Sequence, residues 1–308
     1  AGADNVTSVI TNEFNFSNAA NVDKIKWVAG SYAFRQRLPI NQIVGTGADA
    51  AGFDPTAPNQ VLNFSDGTNS GIAFYGQITL PLAEKIEVTG GLRYDFENRE
   101  VINRTDFVQG NNDAINIVPE QKRSADFSAF SPKMSISWLA AENLNAYLIY
   151  SRGYRIGGIN SYIEPEFESY DHETSDNFEL GLKGRINSNF DFAFSAFYID
   201  RKNIQTQVFE PVTSGISFIT LSNGDGRNIG LEADFDYLIT KGLQLSGNIG
   251  LLNAQYTALQ IPDFVAGGNQ TLADNTVILA PPVTSILSLN YQSAINTGSI
   301  DLIIDFTA

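Results

Sequence analysis

Arg152, Tyr154, Arg155 and Tyr162 are the residues of this chain best suited to contact a small molecule. They fall together in SRGYRIGGINSY, where an alternating run gives way to a Gly-rich one. A guanidinium presents a planar fork to carboxylate or phosphate, and a Tyr ring adds flat contact area, so the group suits an anionic ligand. The same residues also suit a plainer task, ending a strand and packing the base of the next loop, and that reading is preferred. The acidic run Glu164, Glu166, Glu168, Asp171, Glu173 and Asp176 offers oxygen ligands of the kind Ca²⁺ takes. It lacks the spacing and turn Gly of a calcium loop, so it reads as a solvated loop. His172 is the single His and there is no Cys, which removes His and thiolate metal sites, disulfides and a Ser-His-Asp triad. Gly45-Thr46-Gly47-Ala48-Asp49-Ala50 matches the GxGxxA form of a dinucleotide fingerprint, but a polar stretch follows where a helix is required. No catalytic residue, metal site or cofactor is expected, and the chain is not read as an enzyme.

Composition narrows the partners. The chain carries 34 acidic against 19 basic residues, a net charge of −15, which excludes nucleic acid because phosphate binding needs clustered Lys and Arg. Mean hydropathy is −0.10, and no apolar run is long enough for a membrane helix. A barrel strand alternates and needs no such run. The first residue is Ala1 and no signal peptide is visible, so the chain reads as mature, processed or a fragment.

The elements that must position these residues are strands. From Glu173 to Gln207 two alternating runs flank a turn at Asn187-Ser188-Asn189. Phe178, Leu180, Leu182 and Ile186 take one face with Phe190, Phe192, Phe194 and Tyr198, while Glu179, Lys183, Arg185 and Asp191 take the other. Each arm exceeds the usual strand of about five or six residues and suits a tilted membrane-crossing strand of roughly nine to eleven. The pattern recurs along the chain and predicts about twelve strands in six hairpins. Short turns fall at Ala19–Asp23, Ala83-Glu84, Ala141-Glu142, Lys241-Gly242 and Asn296–Gly298. Between hairpins lie polar segments read as loops: Leu38–Thr68, Val101–Ser124, Arg155–His172, Glu210–Gly215 and Gln260–Pro281. Alternating short turns and long loops is what a membrane barrel produces. Trp27, Trp138, Tyr94, Tyr150, Tyr198, Tyr237 and Tyr291 fall near strand ends, where interfacial girdles sit. Lys85, Glu87, Arg93, Asp95, Lys183, Arg185, Glu232 and Asp234 are expected to line a lumen in ion networks.

SPKMSISW, NLNAYLIYSRGYRIGGIN, YDHETSDNFELGLKG, AFYIDRKNIQTQ and NGDGRNIGLEADF, in that order, resemble successive signatures of TonB-dependent outer-membrane receptors. The resemblance covers nearly the whole chain and is strongest from Ser131 to Thr257. It implies an all-β, antiparallel transmembrane barrel of 22 strands around a plug, in the bacterial outer membrane. Its partners would be outer-membrane lipid, a small-molecule ligand such as a ferric siderophore or other metal chelate, and a TonB-type energy-coupling protein reached through an N-terminal part. No plug or coupling box is recognisable in residues 1–308, and Thr307-Ala308 falls short of a terminal aromatic strand. The chain is therefore read as the interior of the barrel domain, with roughly six strands missing before it and four after. An open curved sheet follows, with raw edges at Ile10–Asn18 and Ser299–Ala308. The alternative is a passive porin-like channel; a barrel phospholipase or protease is disfavoured for want of a Ser-His or Asp-His pair.

Overall fold

The structure, a computed structural model, describes residues 2–3, 5–18, 25–160, 167–212, 215–263, 267–295 and 298–307. The turn expected at Ala19–Asp23 and positions 296–297 of the last turn lie outside them. Period-two alternation yields twelve long strands: β1 (Ser8–Ser17), β2 (Lys26–Thr46), β3 (Asn59–Ala83), β4 (Ile86–Gln109), β5 (Ile115–Ala141), β6 (Leu144–Arg155), β7 (Glu173–Ile186), β8 (Phe190–Val212), β9 (Gly215–Thr240), β10 (Leu243–Pro262), β11 (Val283–Ile295) and β12 (Gly298–Thr307). Each pairs antiparallel with its neighbours in sequence, so the sheet is a single meander. Among the described residues β1 pairs only with β2, β12 pairs only with β11, and no ladder joins the two. The sheet is open.

Register puts the apolar residues on one face. Phe178, Leu180, Leu182 and Ile186 of β7 face Tyr198, Ala196, Phe194 and Phe190 of β8. Tyr198, Ala196 and Phe190 then face Ile229, Leu231 and Tyr237 of β9. These side chains have no core to enter: Leu180 is 60% exposed and Leu302 53%. Contiguous apolar surface on this scale demands a lipid solvent. On β4 the face runs from Ile86 to Phe96, eleven residues. At about 3.3 Å per residue and a tilt of about 45° they span roughly 24 Å, close to the ~25 Å apolar band of such barrels. The band ends on one level. Tyr150, Phe178, Tyr198 and Ile229 give way on the same face to Arg152, Asp176, Asp200 and Arg227, which are successive register partners. Trp27, Trp138, Tyr237 and Tyr291 mark the other margin, toward the short turns, and all are exposed.

The opposite face is ionic and concave. Glu87, Arg93, Asp95, Lys183, Arg185, Glu232 and Asp234 all lie on it, as the alternation predicts. Arg93 grips Asp95 through Nε and Nη2 at 2.6–3.0 Å, Arg185 pairs with Asp191 at 2.5 Å, and Lys26 pairs with Glu87 at 3.0 Å. Lys85 is a correction. It occupies the turn with Glu84, because Ala83 and Ile86 close the ladder one position later than the alternation suggests. Concavity shows in contacts that skip a strand: Tyr75 on β3 donates to Glu13 on β1 at 2.6 Å, and Tyr154 on β6 donates to Glu97 on β4 at 3.0 Å.

Three of the polar segments read as loops are largely strand. β2 and β3 continue to Thr46 and from Asn59, β4 and β5 to Gln109 and from Ile115, and β8 and β9 to Val212 and from Gly215. Beyond the lipid both faces are wet, so nothing enforces alternation, and the ladder is held by backbone bonds and polar pairs. Arg37 bonds Asp66 in bidentate fashion at 2.6–3.1 Å, and Asn98 donates to Asp126 at 2.8 Å. Two connections stay long, between β6 and β7 and between β10 and β11. Each folds back on the wall and makes a small core there. Phe167 packs on Val208 and Ile219, while Leu272 and Val277 pack on Ile204, Tyr256 and Leu259.

Candidate functional site

The rim of the wall is uneven, and the candidate residues sit in its notch. β6 and β7 are 12 and 14 residues long, whereas β5 on one side has 27 and β8 on the other has 23. The β5–β6 ladder stops at Lys133–Ser151, and the β7–β8 ladder starts at Thr174–Lys202. Above the short pair, β5 and β8 therefore lack a neighbour on their facing edges. The β6–β7 connection occupies that gap. Gly158–Ile159 pairs with Ser169–Tyr170 as a two-stranded base. Gly157 has no room for a Cβ, which would meet the Phe127 ring of β5 and the Tyr170 carbonyl.

The four sequence candidates divide here. Arg152 is on the lipid-facing side at the margin of the band, where Nε and Nη2 donate to both oxygens of Asp176 at 2.9 and 2.7 Å. Tyr150 donates to the same carboxylate at 2.8 Å, so this fork is already occupied. Tyr154, two residues on, has turned inward with the chain past the end of the ladder, and its hydroxyl is held by Glu97. Arg155 is exposed and is the register partner of Glu173, and among the described residues its guanidinium meets no carboxylate. Tyr162, like Glu164 and Glu166 of the acidic run, lies outside the described residues.

Of the rest of the acidic run, Glu168, Asp176 and Glu173 are put to structural use, and Asp171 is exposed. Glu168 pairs with Arg123 at 3.6 Å and Asp176 with Arg152 at 2.7 Å. Glu173 is 7% exposed; Arg201 donates Nε and Nη2 to its Oε1 at 2.9 and 2.5 Å, and the Gln205 amide donates to Oε2 at 3.1 Å. His172 is half-buried beside it. Among the described residues no three His, Asp or Glu side chains are arranged to hold a metal ion. Gly45 and Thr46 end β2, and Ala48–Gly52 is a single 3-10 turn at the rim, so the GxGxxA run opens no α-helix.

The residue that organises this site was missed in the sequence. Asn160 is 6% exposed, and every polar group it has is used. Its Nδ2 donates to the carbonyls of Phe167 (2.7 Å) and Thr220 (2.8 Å), and its Oδ1 accepts from the Thr220 amide at 2.9 Å. Its own amide donates to the Glu168 carbonyl at 2.8 Å, and its carbonyl accepts from Arg123 Nη1 at 3.1 Å. One residue thus ties β5 to β9 across the notch. GGIN reads as loop chemistry, and only the tertiary partners reveal the role.

The TonB dependent receptor-like β-barrel family matches residues 2–302. No protein of curated function matches in sequence. Among solved structures, the ferric yersiniabactin uptake receptor FyuA from Yersinia pestis superposes with a TM-score of 0.77 at 15% identity, over 99% of this chain and 43% of that one. The siderophore receptor PiuA from Acinetobacter baumannii gives 0.68 at 16%, over 94% and 44%. The copper transporter OprC gives 0.66 at 14%, over 98% and 44%. The chain spans less than half the length of these proteins.

Proposed function

The chain belongs to the TonB-dependent receptor β-barrel family, and from that premise we propose that it forms about half the wall of an energy-coupled importer in the bacterial outer membrane. The family match over residues 2–302 carries this reading. The lipid-facing band and the ionic inner wall agree with it. Further strands, about ten by comparison with 22-stranded transporters, would satisfy the free edges of β1 and β12. A plug and a TonB-type partner would supply gating and energy. The ligand is a scarce nutrient in chelated form, a ferric siderophore or a similar metal chelate. Of the candidate contacts Arg155 is the available one: an exposed guanidinium at the rim suits a carboxylate or other anionic group of the chelate. Arg152 and Tyr154, already bonded to Asp176 and Glu97, hold the wall around it.

Uptake by cells carrying the full-length parent tests the reading. Accumulation of radiolabelled ferric chelates is expected to cease when a protonophore collapses the energy supply, with binding at the surface retained. Accumulation that continues unchanged would favour a passive channel.

A further inference from the structure

We infer that the base of the β6–β7 connection, residues 156–160 and 167–172, is a fixed panel of the wall, closing the notch above β6 and β7, with Asn160 as its positioning residue. A connection that moves as a lid carries few buried contacts and solvent-exposed backbone bonds. This base has the opposite character. On the β8–β9 side Phe167 lies on Val208 and Ile219, which are 6% and 0% exposed, and Asn160 completes a two-way hydrogen bond with the Thr220 backbone. Gln205 Nε2 donates to the Ile156 carbonyl at 2.7 Å, and Ser222 Oγ to the Asp171 carbonyl at 2.6 Å. On the β5 side Arg123 holds the Asn160 carbonyl, and Phe127 closes on Gly157.

The physical need for a panel is plain. Where β6 and β7 stop, β5 and β8 would show two rows of unpaired backbone groups and a side window into the lumen just above the lipid. Arg123 of β5 and Gln205 of β8 bond carbonyls of the base at 3.1 and 2.7 Å, so the base lies across the window and covers both edges. It also fixes Arg155, whose carbonyl accepts from Gln205 at 3.3 Å, at a constant place on the wall. The inference needs only the membrane orientation and holds for a receptor or a passive channel alike.

Cysteine protection in the full-length parent on intact cells is the test. These 308 residues contain no Cys, so Val208→Cys, nearly isosteric, is a clean probe of the buried seam. Asn112→Cys, at the exposed β4–β5 tip, is the reference. With a membrane-impermeant maleimide, the thiol of Val208→Cys is expected to react at least ~100-fold slower than that of Asn112→Cys, at the same rate before and after protonophore treatment. Adding Asn160→Leu is expected to bring the two rates within ~10-fold, and Asn160→Asp, which sets a carboxylate oxygen against the Phe167 and Thr220 carbonyls, to do the same. If Asn160→Leu does not reach the membrane, Asn160→Asp carries the comparison. Rapid labelling of the Val208→Cys thiol in the otherwise unchanged protein, or a rate that follows the energy supply, would make the base a lid and overturn the inference. Unchanged protection in both Asn160 variants would remove Asn160 as the pin.

Discussion

The lipid band and the rim base are held together by different physics in one continuous sheet. In the band the large apolar side chains point away from the protein, and Leu231 is 43% exposed. Its favourable burial comes from lipid, so its stability is a property of protein and membrane jointly. At the base Ile219 is 0% exposed, with Val208 and Phe167 against it, which is the packing of a small soluble domain. Stability there belongs to the protein alone. The two regimes meet at one level, the row Arg152, Asp176, Asp200 and Arg227. Below that row alternation is compulsory, and above it the ladder tolerates almost any polar sequence.

The sharpest break in this comparison is Glu173→Ala. It leaves Arg201 without its carboxylate and the Gln205 amide without its acceptor in a largely dry seam. Removing one partner of a buried pair costs about 3–5 kcal/mol. Thermal unfolding of the full-length parent should show that loss equally in detergent and in lipid vesicles. A cost that appears only in vesicles would erase the distinction between the two regions.

Leu231→Arg comes next, at about 2–4 kcal/mol if it lies at the bilayer midplane, and here the cost should depend on the host bilayer. Glu232→Gln, one residue along on the wet inner face, should change folding free energy in vesicles by less than ~0.5 kcal/mol. Equal tolerance at the two positions would count against the membrane band itself.

How legible each region was follows from the same division. Lipid imposes a strict period of two, so the strands from Ile86 to Phe96 and from Glu173 to Ile186 could be read directly, faces included. The β2–β3 and β4–β5 extensions could not, because Gly, Asn and Asp in a strand wet on both faces look like loop residues. Arg152, Tyr154 and Arg155 were legible as a cluster but not as three separate roles. The end of the β5–β6 ladder sends Arg152 outward and Tyr154 inward, and ladder ends leave no mark in sequence. Asn160 and Glu173 act through strands that lie far from them in the chain.

The gentlest test of the rim's protein-only character lies at the β2–β3 tip, clear of both lipid and lumen. Asp54 accepts from the Thr56 hydroxyl at 2.6 Å, the Thr56 amide at 2.9 Å, Asn59 Nδ2 at 2.7 Å and Thr46 Oγ1 at 3.1 Å. These donors, the Thr56 hydroxyl first and its amide next, hold the carboxyl below the usual Asp range against the opposing desolvation. A carboxyl whose folded pKa lies below its unfolded value of about 3.9 contributes order that is fully present above that value. The contribution is lost as pH falls through the lowered folded pKa. Hydrogen exchange of the 54–59 segment, taken relative to intrinsic rates, should thus show constant protection from pH 7 to pH 5 and a decline only below about pH 4. Asp54→Asn turns one acceptor into a donor facing other donors, and should remove that protection at every pH without touching the band. Protection already lost at pH 5 would mean that the four donors do not act on a charged carboxylate, and the tip would then be ordered by its backbone alone.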